Sequence, residues 1–180
     1  MNQPIQYHVL EKNLCDTMKE WELKIGCSSQ PIELYYPAES LSALLQIPGG
    51  DMRLLSEALE IFRAQVQERL GALEISRKGE RYCIRIPEEG SRYVKEHVKA
   101  NPFLVRFLEV INQPESRLSD VEQVFYEFSD QVVKEQEEEG EYIFYFQDPE
   151  IDEYVYCVEE DEFGLEYHRF TRADYQALFH

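Results

Sequence analysis

The chain has 180 residues and a formal net charge of −18. A hydrophobic content of 43%, with 12 Tyr, 10 Phe and one Trp, excludes a disordered polymer and suffices for one large domain or two small ones. The charge is uneven: residues 1–100 carry 13 Lys or Arg against 15 Asp or Glu, and residues 101–180 carry 5 against 21. The halves, at −2 and −16, are read as separate domains, 1–100 and 101–180.

A half this acidic repels nucleic acid and anionic membranes unless a cation or a basic partner intervenes. Cys15, Cys27, Cys83 and Cys157 are widely spaced, with no Cys-x-x-Cys and no paired histidines. That pattern argues against zinc and for free, reduced thiols. Met1-Asn-Gln-Pro opens no signal or lipidation motif, and no apolar run approaches a membrane span, so the cytoplasm is the expected compartment.

Leu10, Leu14, Met18, Trp21 and Ile25 recur at helical spacing, predicting a first helix over about 7–25 with these side chains on one buried face, closed by Gly26. Ile32–Tyr35 reads as a short edge strand. A second helix opens at Pro37 and ends before Pro48-Gly49-Gly50. Asp51 caps a third, striped by Leu55, Leu59, Phe62 and Val66 and closed by Gly71. Leu73 and Ile75, then Tyr82, Ile84 and Ile86, alternate as two strands about the turn Arg77-Lys78-Gly79-Glu80. A fourth helix follows Pro87-Glu88-Glu89-Gly90.

Beyond Asn101-Pro102, residues 103–111 form an apolar helix expected between the two halves. Ser119 and Glu122 have capping-box spacing for a helix that carries Val121, Phe125, Phe128 and Val132 and frays at Glu135–Glu139. Three strands, about 142–147, 153–159 and 165–170, predict an antiparallel meander. Thr171 and Asp174 cap a terminal helix.

The order Ala38–Gln46, Asp51–Leu70, then Ala72 through the wing to Pro87-Glu-Glu-Gly90 resembles winged helix-turn-helix domains over roughly residues 7–99. The resemblance implies a recognition helix at 51–70, with Arg53 and Arg63 exposed, and a basic wing at 77–81 bearing Arg77, Lys78 and Arg81. Asp51, Glu57 and Glu60 on the same helix oppose phosphate contact. The whole chain also resembles small, acidic, uncharacterised proteins of Gram-positive bacteria, through Tyr154-Val-Tyr-Cys157 and the stretch from Gly164 to Tyr175.

Two surfaces emerge as candidates. One is the helix and wing just named. The other is the meander, where Tyr142, Tyr145, Tyr154, Tyr156 and Tyr167 alternate between faces and offer a tyrosine surface rimmed by acids if one face stays uncovered. His168, Arg169 and Arg172 are expected to pair with Glu159, Glu160 or Glu166 across the strands. No cluster combines nucleophile, base and orienting group, and no cofactor is implied. The sequence therefore predicts an α+β chain, a winged helix-turn-helix followed by helices, a three-stranded meander and a C-terminal helix. Its expected role is a noncatalytic interaction module or adaptor that binds a protein or a second copy of itself, with DNA-binding regulation as the alternative.

Overall fold

A computed structural model describes residues 4–179. The chain is mixed α and β and divides into two compact units, one ending at Lys99 and one beginning at Ala100. Each is built around its own core.

The first unit runs α1 (Tyr7–Ile25), β1 (Ile32–Pro37), α2 (Ala38–Leu45), a 3-10 turn (Pro48–Gly50), α3 (Met52–Leu70), β2 (Glu74–Lys78), β3 (Arg81–Ile86) and α4 (Glu88–His97). Its sheet is antiparallel in the order β1-β3-β2. Alternation in β3 puts Tyr82, Ile84 and Ile86 inward, against Leu55, Leu59, Phe62 and Val66 of α3 and Leu10, Leu14 and Met18 of α1. The Asp51 carboxylate caps α3 by accepting from the amides of Arg53 and Leu54, at 2.9 and 3.1 Å. Two glycines let α4 approach the end of α3. Gly71 has φ +78, and a Cβ there would lie 2.6 Å from Pro87. A Cβ at Gly90 would fall on Ile86 and 2.8 Å from the Leu70 carbonyl oxygen.

The stripe expected along α1 stops short. Leu10, Leu14 and Met18 are buried, but Trp21 is 39% and Ile25 78% exposed. Periodicity assigns a face; the length that is covered depends on the neighbours the helix meets.

The second unit runs α5 (Pro102–Ile111), α6 (Leu118–Phe128), β4 (Val132–Glu138), β5 (Glu141–Phe146), β6 (Val155–Asp161), β7 (Gly164–Phe170) and α7 (Arg172–Phe179). The meander has four strands, not three, in the order β4-β5-β6-β7. The helix expected to reach Val132 ends at Phe128, and the glutamate run belongs to β4 and the turn after it. β-branched Val132 and Val133 favour the strand, and glutamates at a helix C-terminus oppose its dipole. The cap also differs. The Asp120 carboxylate accepts from the Arg117 amide at 2.8 Å, while Glu122 pairs with Lys134 at 2.7 Å.

Helix α5 supplies core to its own unit. Phe103 is fully buried, with ring centroids 4.7 Å from Phe125, 4.8 Å from Phe146 and 5.5 Å from Tyr156. Helices α5 and α6 thus cover one face of the four-stranded sheet. The opposite face packs Ile143, Val155 and Cys157 against Tyr175 of α7.

Candidate functional site

The five cations that the resemblance assigns to nucleic acid fall into two groups. On α3, Arg53 lies 3.0 Å from Glu57 and Arg63 lies 2.9 Å from Glu60. Each is neutralised one helical turn away, by the i,i+4 and i,i+3 geometry that brings such side chains together. On the β2–β3 hairpin, Arg77 donates to the Gly79 carbonyl at 2.7 Å and stacks over the Tyr82 ring. Among the described residues, Arg77, Lys78 and Arg81 take part in no ion pair. The hairpin is therefore basic and the helix is not.

The tyrosines are placed differently from the surface expected of them. Tyr154 and Tyr156 are buried, at 6% and 0% exposure, and with half-buried Tyr142 and Tyr167 they pack in the core under α5 and α6. Tyr145 lies on the other face, beside Tyr175. All five of these tyrosines are buried or half-buried, with helices packed on both faces of the sheet. One buried carboxylate organises this core. Asp152 accepts from the Tyr154 amide at 2.9 Å, the Tyr156 hydroxyl at 3.1 Å and the Asn101 amide group at 3.1 Å.

The α7 face instead carries acids. Glu138 pairs across strands with Glu141, Glu141 with Glu159, and Glu159 with Glu166, a row of like charges spanning all four strands. Beside it the Cys157 thiol donates to Glu141 at 3.0 Å. The Sγ of Cys157 and carboxylate oxygens of Glu141 and Glu159 lie within 4.8 Å of one another, the donor set a cation could use. Burial, then Glu141, push this thiol up to about 12, so with no cation bound it is a protonated hydrogen-bond donor at neutral pH.

Sequence reasoning missed the end of α1. Trp21, Leu23 and Ile25 are 39%, 36% and 78% exposed. Trp21 and Ile25, with Met18, Ile32 and Val94, line a groove enclosing about 20 Å³, and the Ser91 side chain borders it. Ser91 is 6% exposed, and among the described residues no hydrogen-bond partner meets its buried hydroxyl oxygen. The exposed apolar end of α1 thus stands beside one buried, unsatisfied hydroxyl. Leu23, off the helical stripe, is a separate exposed apolar residue on the other face of α1.

Arg172, near the C-terminus, also differs from expectation. Arg172 donates to the carbonyl oxygens of Glu153 and Phe146 and lies over the Tyr145 ring, and Arg169 lies 4.3 Å over the Tyr154 ring. Among the described residues Arg172 forms no ion pair with Glu159, Glu160 or Glu166, and the partner of Glu160 is Arg117 at 3.8 Å.

Residues 7–179 match a family described as a domain of unknown function from E. rectale (DUF3877). The chain belongs to that family. No curated protein and no solved structure matches it. Membership in DUF3877 brings no activity with it, so function rests on the surfaces above. No helix among the described residues is long and apolar enough to cross a membrane.

Proposed function

We propose that this DUF3877 protein is a noncatalytic interaction protein whose first unit is a winged helix-turn-helix used to hold a protein partner. The fold part of this reading is supported by the succession α1-β1-α2-α3-β2-β3 and the antiparallel order β1-β3-β2, with β2–β3 as the wing. The observation that supports the function is the end of α1, where Trp21 and Ile25 are exposed in a groove bordered by the buried Ser91 side chain. Tryptophan is enriched among the few residues that dominate binding energy at interfaces. The glutamate row of the second unit favours a partner with basic groups.

Replacing Ile25 with Glu puts a charge on this patch at a position 78% exposed, where the fold does not depend on it. The expected result is an unchanged circular dichroism spectrum and loss of the oligomer or co-purifying partner seen with the native chain. A native chain that is strictly monomeric and partnerless, or an Ile25→Glu variant that keeps its partner, contradicts the proposal.

DNA is the second reading, favoured by the unpaired cations of the wing. Phosphate contacts release counterions, and affinity then falls steeply as salt rises. Three cations offer little release, and the paired arginines of α3 add less. Duplex binding at low salt that disappears in a variant carrying Arg77→Glu and Lys78→Glu would establish this second reading.

A further inference from the structure

A second feature lies on the α7 face of the four-stranded sheet. A cavity of about 130 Å³ opens there, lined by Glu135, Tyr145, Val155, Arg172, Tyr175 and Gln176. Tyr175 is 5% exposed, and its hydroxyl donates to Glu135 at 3.1 Å and Glu137 at 3.3 Å. Burial and these two carboxylates raise the phenol pKa, so the hydroxyl keeps its proton and fixes Glu135 in place. Arg172 is tethered independently. Its Nε and Nη2 donate to the carbonyls of Glu153 and Phe146, and its guanidinium carbon sits 5.0 Å from the Tyr145 ring centroid.

A carboxylate and a guanidinium thus border one cavity, each held by other groups. Among the described residues, neither Glu135 nor Arg172 belongs to an ion pair. Opposite charges that share a cavity ordinarily close on each other; here separate tethers keep them apart. A guanidinium has five N–H donors, so those not given to the two carbonyls remain for an anion. The walls between the charges are Tyr145, Val155 and the Tyr175 ring. A purely anionic ligand would meet Glu135, and a metal ion would meet Arg172. Pockets for drug-sized or cofactor molecules run to roughly 300 Å³ or more, which excludes a nucleotide.

We propose that this cavity binds a small zwitterion of amino-acid size, with Arg172 taking its carboxylate and Glu135 its ammonium group. This is independent of the interaction patch on α1 and would make the second unit a ligand-binding domain.

The test uses the full chain, thermal denaturation and isothermal titration, with each of the twenty L-amino acids as probe at up to about 10 mM, tenfold above a millimolar Kd. At least one amino acid is expected to raise the melting temperature saturably. Its analogue lacking the amino group, and separately its analogue lacking the carboxylate, should bind at least about tenfold more weakly, as loss of a charge-assisted pair requires. Glu135→Gln retains an acceptor for the Tyr175 hydroxyl and should lose binding by a similar factor with the fold intact. Arg172→Met tests the other end; if it fails to fold, Glu135→Gln decides alone. The proposal is overturned if no amino acid shifts the melt, if either singly charged analogue binds as well as the parent, or if Glu135→Gln binds like the native chain.

Discussion

The two units carry charge differently. In the first, arginines lie beside glutamates: Arg53 with Glu57, Arg63 with Glu60 and Arg92 with Glu88, each within one helix, and Arg69 with Glu11 at 2.6 Å, joining α3 to α1. The second holds ion pairs too, such as Arg106 with Glu127 and Lys134 with Glu122, but its glutamates also stand in register across four strands, and its core is ring on ring around Phe103 and Phe125. The first unit is thus near neutral and aliphatic within, with an apolar patch a partner can approach. The second is aromatic within and repels anionic partners. On the proposed reading, a partner would meet apolar contact at one unit and charge at the other.

Breaking the aromatic core should have the largest effect. Phe103→Ala removes a fully buried ring that meets Phe107, Phe125, Phe128, Phe146 and Tyr156, at an expected cost of about 3–5 kcal/mol. Urea denaturation followed by residue-resolved NMR should show the loss in the second unit, with resonances of the first unchanged. Simultaneous melting of both would break the comparison.

Alkaline pH comes next. Burial pushes Cys157 from 9.0 up to about 12 and Cys15 up to about 11. The unfolded chain releases these protons first, so the stability they contribute is intact below pH 9 and declines as pH rises toward their folded values. Iodoacetamide at mildly alkaline pH should therefore modify exposed Cys27 and spare Cys15 and Cys157 until denaturant is added, as read by mass spectrometry. Rapid labelling of Cys157 in the native chain would contradict this.

Within the glutamate row, Glu159→Gln removes the charge that faces both Glu141 and Glu166. The second unit should gain a few tenths to about 1 kcal/mol, and the gain should shrink in high salt as screening replaces it. An unchanged midpoint at low salt would mean the row is already relaxed in solution. The smallest effect belongs to Arg53→Ala, whose exposed pair with Glu57 should leave the melting temperature of the first unit unchanged within error.

How much of this was legible in the chain follows from the range of the forces involved. Helices α1 to α4 and the β2–β3 hairpin rest on local signals: the Leu55-Leu59-Phe62-Val66 stripe, the Asp51 cap and the breakers at Pro48-Gly49-Gly50 and Gly71. Strand β4 did not, because Lys134-Glu135-Gln136-Glu137 reads as a frayed polar end until β5 pairs with it. The alternation of the tyrosines was visible, but which faces are covered depends on α5, α6 and α7, distant in sequence. The exposed end of α1 is a matter of how far its neighbours extend. Arg172 looked like a cross-strand ion-pair partner, but carbonyl oxygens at Phe146 and Glu153 reach it first.

The central claim is that the end of α1 is a protein-binding surface, and Trp21 makes it directly measurable because it is the only tryptophan in the chain. Its emission, recorded as the protein is concentrated and as its partner is added, reports on the polarity around a ring now 39% exposed. Burial in an interface shifts the emission to shorter wavelength, and Ile25→Glu should abolish the shift. An emission maximum that stays fixed while the complex or oligomer forms would place the contact elsewhere and contradict the account.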